Sequence, residues 1–311
     1  MKIYDKIFSV FKPNNSSMIF KMRIRPVLTI LLMLILILFL WQMTLILLTV
    51  NDLVRGIDTH SIDQQLNETN RNIPFRIHQM WKTTDLSSYP INNSHHIWKS
   101  FFPEYQIYLW TDEQIEKLIL KNEYKYLYSI YKSFIYSIQR ADLARLIILH
   151  SFGGIYADLD VYPHGTNLES LISKNVSFII GKSSSDICLV NHFMISEKNS
   201  SILSYILQNI PKKSFFKQIY VLPYLEVFST GSIYLTNIIR NIHDKRLIIL
   251  SKDDLSQYIY HDAGRSWHLF DGYLINQIDA HPRRFIFVIL IVFVICCIKF
   301  KKCLRISNQL R

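Results

Sequence analysis

Glycine is scarce in this 311-residue chain, with eight in all, and none of the glycine-built phosphate loops occurs. There is no GxGxxG and no P-loop, so dinucleotide-binding and Walker-type readings have no support. HExxH is also absent, which removes the zincin reading. Cysteine is nearly missing from the middle of the chain. Of Cys188, Cys296, Cys297 and Cys303, only the first lies away from the C-terminal end. That excludes an internal disulfide or a cysteine-based zinc site in the central region. The other three border an apolar run, where they serve as palmitoylation sites or as plain membrane-edge residues. Acidic residues are in deficit, 24 against 35 Lys and Arg. The basic excess is not spread evenly: residues 1–26 carry +5, residues 299–311 carry +5, and the 272 between them carry +1. A nucleic-acid binder concentrates its excess on the folded domain, so nucleic acid is not expected as a partner. No internal repeat is present.

What remains is apolar and aromatic. Hydrophobic residues make up 50% of the chain and aromatics 14%, which argues against disorder. From Pro26 to Asn51 there is no charged residue. Residues 27–50 are long enough to cross a bilayer with some tilt, and they lack the small-residue cleavage site of a signal peptide. They are expected to be an uncleaved anchor, with the basic tail 1–26 in the cytosol. Residues 51–72 are polar and aperiodic, as a stem is. Residues 73–282 are enough for one sizeable α/β domain. Phe285–Ile298 is apolar and bracketed by Arg284 and Lys299. It is short for a span, and within residues 285–300 it forms either a second transmembrane helix or an interfacial one. Residues 301–311 are a basic tail. Asn67, Asn92, Asn175 and Asn199 each begin an N-x-Ser/Thr acceptor between the two apolar segments, which predicts a lumenal domain with glycans on some of them.

Within the domain, Ile73–Thr83 predicts a first strand ending near Trp81, with Phe75, Ile77 and Gln79 alternating with Arg76 and His78; Pro74 suits a strand edge. His78 is expected to be a satisfied core histidine. Ser94–Phe102 predicts a short helix. Tyr105–Trp110 has the aromatic and β-branched bias of a strand. Thr111 and Gln114 form a capping-box pattern, so a helix should run to about Leu120. Glu123–Tyr136 is expected to be helical. Strands are predicted at Val176–Gly181, Asn191–Ser196 and Leu247–Leu250, and a helix at Ser200–Asn209 stopped by Pro211.

The chemistry gathers between Gln139 and Pro163. From Arg140 to His150, apolar residues recur at three- and four-residue steps, as in an amphipathic helix. Asp142 and Arg145, three apart, share a face. Gly153 and Gly154 end the helix, since glycine takes the left-handed cap conformation readily. Ile155–Ala157 then reads as a buried strand. It delivers Asp158 and Asp160, which as i and i+2 aim two carboxylates at one point. Two hard oxygen donors suit Mg²⁺ or Mn²⁺.

The run RADLAR…GGIYADLDV resembles the DXD-containing sugar transferases of glycosyltransferase family 32, among them the inositol-phosphoceramide mannosyltransferases. The IPFRIHQMW run, Trp98 and the YLW-TDE stretch are similar to the family as well. The resemblance covers about residues 73–270. It implies a GT-A-like fold with a mixed central sheet, and metal-dependent hexose transfer with retention. A nucleotide sugar would be the donor, GDP-mannose above all; a lipid or a glycan would be the acceptor. It implies that Asp160 is the main metal ligand and that Asp158 bridges metal and donor. Asp142 and Arg145 would hold donor hydroxyls. Trp81 would stack on the base, and Tyr156 and Arg140 would line the donor site. Asn191 would contact sugar or acceptor. Ser266 and Trp267 would contact the diphosphate. The third metal ligand stays open among His261, Asp262 and His268, because His261-Asp262 stands where relatives more often have two histidines. Ser232 replaces the proline of a TGP turn found in relatives. The anchored layout implies a Golgi or ER membrane location. Two other readings are a phosphohydrolase using the same carboxylates and a membrane module that kept the fold without catalysis.

Overall fold

The computed structural model describes residues 72–89, 93–165, 168–172, 175–183, 188–213 and 230–262, with eight further positions between 30 and 41. The chain divides into two compact units, Met1–Arg55 and Gly56–Arg311. In the first, residues 30, 31, 33–35, 37, 38 and 41 are helical, and their apolar side chains are exposed. Among the described residues no helix is long and apolar enough to cross a membrane. Most of the expected anchor 27–50, the whole 285–300 segment, Ser266, Trp267 and His268 lie outside the described residues.

The second unit is built on a six-stranded sheet. In chain order its strands are β1 (Arg76–Met80), β2 (Gln106–Trp110), β3 (Gly154–Ala157), β5 (Phe178–Lys182), β6 (Leu189–Ser196) and β7 (Leu247–Leu250). Their spatial order is β2-β1-β3-β6-β5-β7. β1 pairs in parallel with β2 and β3, and β5 with β7, while β6 runs antiparallel to both its neighbours. The fold is therefore α/β with a mixed central sheet. A second, two-stranded sheet joins β4 (Val161–Pro163) to β8 (Ile259–His261).

Alternation along the strands divides the core between the two faces. Tyr156, Ile180, Met194 and Ile249 enter one cluster; Ile155, Ile179, Ile195 and Ile248 enter the other. The first face is covered by α2 (Asp112–Ile119), α3 (Lys125–Ser133), α4 (Ser137–Phe152), α6 (Ser201–Lys213) and α7 (Ser232–Ile239). The second is covered by α1 (His95–Phe101), α5 (Glu169–Ile172) and α8 (Lys252–Ser256). Each fully buried Leu, Ile or Phe contributes about 1.5–3 kcal/mol of transfer free energy.

Several expectations change. β1 lies inside the sheet, and Pro74 stands just before it, at the strand's edge. Its His78 and Gln79 are both buried, because both faces of the sheet are covered, and His78 is the core histidine expected. α4 starts at Ser137 and ends at Phe152, and residues 142–149 are buried on every side. It is a core helix, not an amphipathic one, since α2, α3 and α6 pack against it as well as the sheet. The capping box at Thr111 and Gln114 is present. The helix after it is shorter than expected, Lys125–Ser133. Pro211 sits inside the last turn of α6 rather than stopping the helix. β6 begins at Leu189, two residues before Asn191.

The helix-to-strand break is sharper than a left-handed cap. Gly153 has φ 63° and ψ −176°, a region essentially restricted to glycine. Gly154 has φ 101°, and a Cβ there would stand 2.5 Å from the carbonyl oxygen of Arg76. The first residue of β3 thus lies at backbone distance from β1.

Candidate active site

β1, β2 and β3 run parallel and end together, and a cleft opens beyond their carboxyl ends. Its wall takes Trp81 and Lys82 from after β1, Asp112 from after β2, and Asp158 and Asp160 from after β3, with Arg140 and Arg145 from α4. Clefts at the carboxyl ends of parallel strands are where open α/β sheets bind ligands.

The DXD carbonyls are fixed one by one. Leu159 O accepts from Ser94 N–H at 2.7 Å, Asp160 O from Asp262 N–H at 2.9 Å, and Val161 O from the Trp98 indole at 2.7 Å. Leu159 is buried, as the i, i+2 reading requires. The Asp158 side chain is 27% exposed and that of Asp160 14%, so both reach the cleft from a rigid turn.

Beneath them lies a charged network. Arg145 is 2% exposed. Its Nη1 donates to Asp158 Oδ2 at 3.3 Å and to Asn191 O at 2.9 Å, and its Nη2 is 3.4 Å from Asp142 Oδ1. Asp142 is buried and also accepts from Asn191 Nδ2 and Thr230 Oγ1, each at 2.7 Å. Tyr156 donates to Asp158 Oδ1 at 2.6 Å, and Arg145 lies 5.2 Å from its ring centroid. Burial opposes the Arg145 charge, but Asp158, Tyr156 and Asp142 outweigh it and hold the guanidinium protonated. Burial also pushes the Asp158 carboxyl above its ordinary range, against the pull of Arg145.

Asp142, Arg145, Tyr156, Asp158 and Asn191 form one connected network, with Asp160, Trp81 and Arg140 on the cleft wall. Trp81 is not a core residue: it is half-buried, donates to Ser88 Oγ at 2.7 Å and meets Tyr89 edge-on at 4.7 Å. Arg140 Nη1 is held by Phe134 O at 2.8 Å. Of the three alternatives for a further ligand, His261 is brought next to Asp160, 3.5 Å from Oδ2, and Asp262 reaches it through its backbone. His268 lies outside the described residues. His78 is a core histidine: Trp110 donates to its Nδ1 at 3.1 Å, so its Nε2 carries the proton and donates to Gly153 O at 2.9 Å.

Four residues escaped the sequence reading: Lys82, Tyr89, Asp112 and His192, whose ring stacks on His261 at 4.0 Å. Lys82 and Asp112 directly follow strands that were read correctly, so their position beyond the carboxyl ends could have marked them. Tyr89 and His192 carry no such signal.

The donor set suits a hard divalent ion in kind, with two carboxylates and a neighbouring imidazole. Among the described residues, no three His, Cys, Asp or Glu side chains form a cluster able to hold a metal by themselves. A Mg²⁺- or Mn²⁺-type site needs only one or two carboxylates, with water and substrate phosphates completing it.

Residues 90–178 match the family described as "Glycosyltransferase sugar-binding region containing DXD motif". Among curated proteins, the chain is 33% identical over 189 residues to inositol phosphoceramide mannosyltransferase 3 of Schizosaccharomyces pombe, covering 60% of this chain and 49% of that protein. It is 28% identical to inositol phosphoceramide mannosyltransferase 1 of the same yeast, covering 69% and 68%. It is 26% identical to mannosyl phosphorylinositol ceramide synthase SUR1 of Saccharomyces cerevisiae, covering 67% and 55%. The chain spans about half the length of the first of these relatives. Residues 90–178, which carry α4, the glycine break, Asp158 and Asp160, are thus similar to a DXD-type glycosyltransferase sugar-binding region.

Proposed function

We propose that this chain is a membrane-anchored, metal-dependent glycosyltransferase with a GT-A-like domain. It moves a hexose, mannose from GDP-mannose, onto a sphingolipid headgroup such as inositol phosphoceramide. The observation that carries the reading is the convergence of Asp158, Asp160 and Trp81 on one cleft at the carboxyl ends of β1, β2 and β3. The similarity to named inositol phosphoceramide mannosyltransferases supports the choice of sugar and acceptor.

Asp158 and Asp160, with His261 beside Asp160, would hold Mn²⁺ or Mg²⁺. Such an ion, when bound, neutralises the charge that develops on a departing nucleoside diphosphate. Trp81 offers the donor base a ring to stack on. Arg140 is the cationic group on the α4 side of the same cleft. Asp142 and Arg145 are buried, and we assign them to positioning. Arg145 orients Asp158, and Asp142, held by Asn191 and Thr230, keeps Arg145 in place. Tyr156 fixes the other oxygen of Asp158. Asn191 acts through Asp142.

Exposed apolar side chains on the helical positions between 30 and 41 support an N-terminal membrane anchor. The acceptor asparagine Asn199 is exposed, which supports a lumenal Golgi or ER domain. The test is to offer membranes carrying the full chain a panel of radiolabelled nucleotide sugars, with and without Mn²⁺. Label from GDP-mannose should enter the lipid extract only with the metal. Label confined to protein-linked glycans would replace the lipid reading with a glycan acceptor, and no transfer from any donor would leave a non-catalytic module.

A further inference from the structure

A second groove opens on the far side of Tyr89, between the segment that leads into α1 and the β4–β8 sheet. We propose that it is the acceptor subsite and that it takes an uncharged cyclic polyol ring, through stacking on tyrosine and hydrogen bonds to its hydroxyls. The inference rests on the glycosyl-transfer reading and adds where the acceptor sits.

Three tyrosines line the groove: Tyr89, Tyr162 and Tyr260. Tyr162 and Tyr260 are cross-strand partners with ring centroids 6.3 Å apart, and Tyr260 is 61% exposed. Exposed aromatic faces next to polar groups are how a protein binds rings that carry hydroxyls on a C–H skeleton. Those polar groups are His96, His164 and Asp262. The lining holds a carboxylate and, among the described residues, no lysine or arginine. The Asp262 carboxylate would meet a phosphate as like charge, so the groove favours the uncharged ring.

Its position is what ties it to transfer. Tyr89 belongs to both grooves, and on the donor side it packs against Trp81. Tyr162 is two residues past Asp160, and Asp262 is hydrogen-bonded through its N–H to the Asp160 carbonyl. A ring on Tyr162 and Tyr260 therefore sits against the DXD turn from the side opposite α4.

Such a ring comes from an inositol headgroup or from a hexose of a glycan. The full chain in detergent should be probed by saturation-transfer NMR with myo-inositol and, separately, with methyl α-D-mannopyranoside. Inositol should receive saturation, and Tyr260→Ala should weaken its binding about tenfold, the scale of one lost aromatic contact. Tyr260→Phe should restore most of it, which a collapsed fold could not do. Saturation of the mannoside in place of inositol would keep the subsite and overturn the sphingolipid reading. The inference is overturned if neither ring is saturated, or if the signal survives Tyr260→Ala.

Discussion

Arg145 holds Asp158 from below: its Nη1 lies 3.3 Å from Asp158 Oδ2, and the guanidinium itself is almost wholly buried. Removing it deprives the buried Asp142 and the partly exposed Asp158 of their shared counter-charge. Breaking a buried pair from one side costs about 3–5 kcal/mol. Arg145→Ala should lose that much in denaturant unfolding. Arg145→Lys keeps the charge but not the fork that reaches both acids; it should fold, and turn over at least about tenfold more slowly. An Arg145→Lys enzyme with unchanged kcat would remove the positioning role.

Asp160→Asn deletes a charge at nearly constant volume, and the Asp160 backbone bond to Asp262 does not depend on the side chain. The fold should survive, and transfer should drop at least about a hundredfold, the scale of one key electrostatic contact. Metal titration of the purified variant gives an independent reading: Mn²⁺ should bind more weakly. Equal Mn²⁺-dependent turnover in a folded variant would sink the ligand assignment.

Tyr156→Phe removes one hydrogen bond, the 2.6 Å contact to Asp158 Oδ1. The ring stays in the core beneath Arg145. Thermal stability should fall by about 1 kcal/mol, while kcat falls more than the donor KM rises, because Asp158 loses its fixed orientation. A change in KM alone would place Tyr156 in donor binding instead.

His78 makes stability depend on pH. Burial drives its pKa down to about 4 from 6.5, against the bond to Gly153 O. The unfolded chain therefore takes up this proton first. The contribution is complete above pH 6.5 and is lost as pH falls to about 4, amounting to about 3 kcal/mol. Unfolding free energies of the native chain and of His78→Gln, measured between pH 7 and 4, should converge by that amount. Parallel profiles would rule the effect out.

Gly154→Ala tests the close approach of β3 to β1. The added methyl group would meet the Arg76 carbonyl at 2.5 Å with φ at 101°. Strain of this kind costs about 1–3 kcal/mol. Because the clash lies one strand-length from Asp158, activity should fall beyond what the loss of folded protein explains, when both are measured on the same sample.

Much of this was legible in the sequence because local rules and the core agreed. The i, i+2 spacing of Asp158 and Asp160 and the i, i+3 spacing of Asp142 and Arg145 fix geometry within one element, and no distant contact overrides them. The capping box at Thr111 is equally local. The misreadings share a different cause. α4 and β1 carry polar residues, Asp142, Arg145, His78 and Gln79, that are buried in the fold. Each is satisfied inside the protein by a partner far along the chain: Asp142 by Thr230, 88 residues away, and His78 by Gly153, 75 away. Single-segment periodicity has no access to such partners. The β4–β8 sheet was missed for the same reason, since each strand is three residues long and exists only because the other is there.

That small sheet has a consequence for how the protein comes into being. Val161 pairs with His261, 100 residues later. The last carbonyl of the DXD triplet is tied down only when Asp262 arrives. Contacts of such long sequence separation form late, after the chain has closed a large loop. A nascent chain thus carries both DXD carboxylates long before it can hold them in place. Any fragment ending before Asp262 should keep the DXD sequence and lack the geometry that makes it a site.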